Sequence, residues 1–164
     1  IGRFEVTNAQ FKAYKPAFKF KAGLDNYPVV TSKEEALKYV QWLSKITGDT
    51  YRLPNTKEAS KLHKAAHKVA AKENTLNYWA GYAITIDEVE QLNQKITKLK
   101  SHLFKKVGKN KPTKIGKASV YDLGGNVAEY FDTGIYGYSA YDFYDTNNSE
   151  MITSKHVGIR VIKE

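Results

Sequence analysis

The sequence predicts an α+β domain with helices in its first half and short, irregular strands in its second, and three observations carry that expectation. Capping residues followed by helically spaced apolar positions recur before Phe104. Beyond it, lysines with Gly108, Pro112 and Gly116 mark loop, and β-prone pieces follow near Ser119 to Tyr121 and Gly158 to Ile162. No βαβ alternation and no internal repeat interrupts this segregation.

Each helix has its own start signal. Thr7 with Gln10 forms a capping box for a short helix through about Tyr14, stopped near Pro16. Ser32 with Glu35 opens a second, whose face is expected to carry Ala36, Leu37, Val40, Leu43 and Ile46, with Gly48 as C-terminal cap. After Arg52-Leu53-Pro54, Asn55 or Thr56 caps a third helix through Ala59, Leu62, Ala66 and Val69 to about Ala71. Thr85 with Glu88 caps a fourth, carrying Val89, Leu92, Ile96, Leu99 and Leu103.

The 164 residues fit a single domain, 1–164, long enough to bury a core. The start at Ile1 without methionine suggests a piece of a longer protein. With no cysteine, thiol nucleophiles, zinc knuckles and disulfides are excluded. No apolar run approaches the roughly 20 residues of a membrane-spanning helix. Net charge is +9, yet the only arginines are Arg3, Arg52 and Arg160. Scattered lysines more often make a solvated surface than a base-reading one. The run from Lys95 to Lys117 contains no carboxylate and offers a docking place for a polyanion; with Phe104 its one aromatic, it lacks the interleaving that nucleic-acid stacking needs.

The stretch Tyr121-Asp122-Leu123-Gly124-Gly125-Asn126-Val127-Ala128-Glu129-Tyr130 is the most informative. Its glycines permit a tight fold-back, and Asp122 and Glu129 flank a loop able to aim oxygens at a hard cation. The competing reading is a glycine turn leading into a half-buried strand. His63 and His67 share the spacing of two metal ligands, but Lys61, Lys64 and Lys68 favour a solvated polar face.

Four segments in order resemble the formylglycine-generating enzyme, or sulfatase-modifying factor, superfamily: Glu5-Val6-Thr7-Asn8-Ala9-Gln10-Phe11, Trp42-Leu43 with Tyr51-Arg52-Leu53-Pro54, the Tyr121 to Tyr130 loop, and Gly158-Ile159-Arg160-Val161. The resemblance spans nearly the whole chain and implies a loop-rich variant of the C-type lectin fold. It implies calcium ligation by the side chains of Asp122 and Glu129 and the carbonyls of Gly125 and Val127. A second calcium site near Asn74 and Thr75 lacks its acidic partner. The sulfatase-activating members hold copper on paired cysteines after a turn matching Gly137-Tyr138-Ser139. Ala140 to Asp145 offer no sulfur, so that oxidase chemistry and its copper site are excluded. Alanines at 59 and 128 and Tyr130 stand where the family has tryptophans, and Asn74 to Tyr82 with the helix after it form an insertion.

Between Tyr130 and Asp145 lie seven aromatic rings and three aspartates. Tyr136, Tyr138, Tyr141, Asp142 and Tyr144 are the ligand-binding candidates, since tyrosine gives a rigid apolar face with a polar tip. About half of these rings are expected to pack the core instead. The expected function is a non-catalytic binding or scaffold module of a larger bacterial protein, of the cell envelope on family grounds. It would recognise a peptide, a glycan or a neighbouring domain. A non-haem-iron oxidoreductase and polyanion binding through Lys95 to Lys117 are the alternatives.

Overall fold

The computed structural model describes residues 1–66, 91, 94, 98, 103–123, 125–137, 139–141 and 155–164. It contains, in order, α1 (Asn8–Tyr14), α2 (Lys33–Thr47), β1 (Tyr51–Arg52), α3 (Thr56–Ala66), β2 (Thr113–Ile115), β3 (Ala118–Val120), β4 (Ala128–Tyr130), β5 (Ile135–Tyr136), β6 (Val157–Gly158) and β7 (Ile162–Lys163). Helices dominate the first half and short strands the second, as the sequence predicts, although β1 comes before α3. Of the fourth expected helix, Gln91, Gln94 and Lys98 are described, each helical and exposed, while Leu103, expected on its apolar face, is described outside any helix. The remainder of that helix, and the third helix beyond Ala66, lie outside the described residues.

The caps follow their chemistry. The Thr7 hydroxyl accepts from Gln10 N while the Gln10 side chain accepts from Thr7 N at 2.9 Å, completing the capping box. Ser32 accepts from Glu35 N at the start of α2, and Gly48 ends that helix with φ at 76°. In α2 the buried residues are Ala36, Tyr39 and Val40, with Trp42 and Leu43 packed beside them. Leu37 and Ile46, expected on the apolar face, are 43% and 57% exposed. Tyr39 replaces them because it stacks on Phe11 and meets Tyr14 and Trp42 edge-on or tilted, so the buried stripe follows the aromatic cluster.

Among the described residues, three small sheets are joined by irregular backbone. β1 pairs antiparallel with β7, β2 with β3, and β4 lies between antiparallel β5 and parallel β6. The N-terminal segment runs beside the C-terminal one: Gly2 N donates to Val161 O and Val6 N to Ile159 O, each at 2.8 Å. Val29 N in turn donates to Val6 O at 2.9 Å, so both ends of the chain and the segment before α2 share one seam. The main core, Val6, Phe11, Val29, Ala36, Tyr39, Val40, Leu53 and Ile159, sits between that seam and α2.

The seam tolerates no side chain at Gly158. An added Cβ would lie 2.7 Å from Val127 Cγ2 and 2.9 Å from the Val29 carbonyl oxygen, which is backbone and cannot swing aside. Gly158→Ala is expected to destabilise the domain by about 1–3 kcal/mol, the cost of overpacking, as a lower urea midpoint. Gly48→Ala, with nothing within 4 Å of the new Cβ but φ at 76°, should lose about 1–2 kcal/mol through backbone strain alone.

Candidate functional site

The glycine loop delivers its polar side chains inward, and they meet residues from both chain ends. Among its described residues the left-handed positions are Asp122 (φ 63°) and Asn126 (φ 69°), not the glycine Gly125. Asp and Asn reach this region more readily than other non-glycine residues because their short polar groups bond locally. Asn126 is fully buried and acts as a clamp. Its Oδ1 accepts from Lys105 N at 2.9 Å, and its Nδ2 donates to Glu5 Oε2 at 2.8 Å and to Lys105 O at 3.2 Å.

Arg160 is the centre of the arrangement, at 0% exposure. Its Nε donates to both Glu129 oxygens at 2.9 and 3.0 Å, and its Nη2 to Glu129 Oε1 at 2.6 Å. Nη2 also donates to Tyr121 O at 2.8 Å and Nη1 to Gly2 O at 3.1 Å. One guanidinium thereby ties β4, the approach to the glycine loop and the N-terminus. Asp122 Oδ2 accepts from Gly108 N at 2.6 Å and Oδ1 from Asn110 Nδ2 at 2.9 Å. Glu5 accepts from Asn126 and, at 3.3 Å, from Val127 N.

Three buried carboxylates thus face one guanidinium. Burial, followed by the charges of Asp122 and Glu129, pushes Glu5 well above its ordinary 4.5, against the opposing pull of Arg160 and Asn126. Burial also raises Asp122, outweighing the Gly108 N–H, Arg160 and Asn110, with Glu129 adding to the rise. For Arg160 burial lowers the value, but the charge and hydrogen bonds of Glu129, with Glu5 and Asp122, more than reverse it.

The expected calcium ligands occupy defined places. The Asp122 oxygens face Gly108 N and Asn110, and the Glu129 oxygens face Arg160. Gly125 N donates to Asp122 O at 3.2 Å, while Val127 presents its N–H to Glu5. A calcium ion would compete for every one of those carboxylate oxygens with an N–H donor, so the residues as arranged fit a guanidinium better than a dication. Among the described residues no group of three or more His, Cys, Asp or Glu is placed to hold a metal.

The aromatic candidates divide. Tyr136 is half-buried, stacks on His63 at 4.4 Å and meets Phe131 edge-on. Tyr141 is half-buried beside Phe104 and His156, and its hydroxyl accepts from Leu103 N at 2.9 Å. Tyr138, Asp142 and Tyr144 lie outside the described residues. His63, expected on a solvated face, is buried on the inner face of α3. Gly137, with φ at 74°, admits it closely: a Cβ there would stand 2.7 Å from the His63 ring. His67 lies outside the described residues. Glu5, Asn110 and Arg160 had no assigned role in the sequence, although Glu5 and Arg160 stand in the first and last of the four segments.

Short strands joined by irregular backbone, with a polar centre where a larger sheet would place apolar side chains, define a loop-rich α+β domain. A model of the sulfatase-modifying factor enzyme 1-like domain matches residues 1–163, and the chain belongs to that family. The solved structure of PvdO from Pseudomonas aeruginosa is similar in fold, with 21% identity, a TM-score of 0.56, and coverage of 99% of this chain and 78% of that one. No curated protein matches the sequence.

Breaking the pair from one side leaves Glu129 buried without its partner, so Arg160→Met should cost about 3–5 kcal/mol in chemical denaturation. Arg160→Lys keeps the charge but loses the fork and should recover only part of that. The raised Glu5 makes stability pH-dependent in a definite sense: the folded protein holds a proton that the unfolded chain releases near 4.5. Stability is therefore fully present below that value and is lost as pH rises through the folded one. Urea melts between pH 5 and 8 should show this decline in the wild type and a flatter profile in Glu5→Gln, offset by about 1 kcal/mol for a lost hydrogen bond. An equal slope in both would place the proton elsewhere.

Proposed function

We propose that this chain is a non-catalytic binding or scaffold module whose irregular half is held rigid by Arg160 and whose aromatic segment faces a peptide, a glycan or a neighbouring domain. The observation that carries this reading is the engagement of the buried ionisable groups with the fold itself. A catalytic acid or base needs an atom within reach of substrate. Glu5, Asp122, Glu129 and Arg160 are 1%, 1%, 6% and 0% exposed, and they bond to one another, to asparagines or to backbone. The absence of cysteine from the whole sequence also removes the thiols that the sulfatase-activating reaction requires.

In this reading Tyr136 and Tyr141 anchor the aromatic segment, and recognition falls to Tyr138, Asp142 and Tyr144 between and beyond them. Arrays of peptides and glycans should give hits with the wild type that weaken with Tyr138→Ala plus Tyr144→Ala; identical profiles would sink the aromatic surface.

Calcium at Asp122, Gly125, Val127 and Glu129 is testable on the same protein. With Arg160 supplying the positive charge, thermal melts in millimolar calcium and in chelator should coincide. A calcium-dependent rise in Tm that disappears in Glu129→Gln would instead assign the structural charge to the ion.

A further inference from the structure

The outer face of α3 and the strand beside it carry a second surface, remote in role from the buried pair. Lys57, Lys61 and Lys64 follow one another at helical spacing on the exposed stripe, opposite Ala59, Leu62 and His63, which are buried. Lys111 and Lys114 come from the segment entering β2, and the two sets line one open groove of about 1270 Å³. Thr56, Ser60 and Thr113 add hydroxyls, and Ala65 and Pro112 an apolar floor. Among the described residues, no carboxylate and no aromatic ring lines it.

Among the described residues, the Glu58 carboxylate of the same helix is already paired. Glu58 takes both Arg52 amines at 2.7 and 2.9 Å and the N–H of Asn55 at 2.8 Å. Asp132, which follows β4 and lies beside the start of α3, accepts from Thr56 Oγ1 and Thr133 N, neutral partners that leave its charge at that end of the helix. None of the five lysines forms an ion pair among the described residues. Lys114 Nζ donates to Ser119 Oγ, a neutral partner that leaves its charge uncompensated. Five like charges around one groove repel one another, and a ligand that brings several negative charges relieves that repulsion.

We infer that this groove binds an anionic polysaccharide, with the lysines taking its sulfate or carboxylate groups and Thr56 and Ser60 its hydroxyls. The lysines project from about 10 Å of helix, at roughly 1.5 Å per residue over seven residues, which suits a chain of spaced charges rather than one small ion. The ring-free lining formed by the described residues argues against single-stranded nucleic acid, whose affinity rests on stacking. The lack of arginine removes the fork that reads a base edge or clasps a phosphate. This surface is independent of the aromatic segment, so either can fail without the other.

The test uses the full chain with size-defined heparin oligosaccharides as the sulfated probe, polygalacturonate as the carboxylated one and duplex DNA as the competitor. Titrations are read by fluorescence anisotropy at low and near-physiological salt. Lys57→Gln, Lys61→Gln and Lys64→Gln together, and separately Lys111→Gln with Lys114→Gln, should each lower affinity for one or both polysaccharides about tenfold or more. The matched change at exposed Lys19, Lys21 and Lys45 should lower it less than about threefold, and thermal melts confirm that all variants fold. Equal losses in groove and control variants would show that net charge alone attracts the ligand and overturn the proposal. So would absence of polysaccharide binding near physiological salt, or tighter binding to duplex DNA through the same lysines.

Discussion

The bidentate contact between Arg160 and Glu129 is the constraint on which the irregular half of this domain depends. Strands of two or three residues provide few ladder bonds and little continuous apolar face, so they cannot order one another. A planar cation with several donors can do so, because each bond has a direction. Arg160 reaches β4 through Glu129, the approach to the glycine loop through the Tyr121 carbonyl and the N-terminus through the Gly2 carbonyl. Lysine would bring the charge as a point and could not hold three segments at fixed angles.

The arrangement carries a cost that its neighbours reduce. Burying an ion pair forfeits hydration, and the attraction repays this only where the remaining donors and acceptors are satisfied. Here the backbone supplies much of that satisfaction: Gly108 N serves Asp122, Val127 N serves Glu5, and two carbonyls serve Arg160. Three carboxylates against one guanidinium leave excess negative charge, and burial, followed by the charges of Asp122 and Glu129, pushes Glu5 upward in response. Glu5 links Asn126 and the Val127 N–H to the seam formed by the chain ends, while Glu129 remains the partner of Arg160.

Much of this was legible in the sequence where the cause is local. Thr7 with Gln10, Ser32 with Glu35 and Gly48 announce helix ends through chemistry within three or four residues, and those ends stand where the side chains place them. The packing stripe of α2 was less legible, because Leu37 and Ile46 match helical spacing while the aromatic cluster that selects Tyr39 is assembled from α1 and the segment after it. The burial of His63 is hidden for a related reason: lysines dominate its helix in sequence, but in space it lies away from exposed Lys61 and Lys64, against Tyr136 and the cleared position at Gly137. The loop around Asp122 was recognised as inward-facing, whereas its cationic partner lies 38 residues further on. One signal was available for it. In a chain this rich in lysine, two of the three arginines, Arg52 and Arg160, each hold a carboxylate with two nitrogens, while exposed Arg3 lies over the Phe4 ring.

The same division between arginine and lysine separates the two surfaces of α3. On its N-terminal turn Arg52 and Glu58 lock the helix to β1, and on its inner face Leu62 and His63 are buried, His63 against the ring of β5. These contacts fix the helix without using its outer stripe, so Lys57, Lys61 and Lys64 owe nothing to stability and face the lysines of the β2 segment across an open groove. Like charges drawn together at a position the fold does not require oppose folding slightly. Their concentration on one face, with Glu58 turned to Arg52, is accounted for by an external anion and not by the packing of the domain.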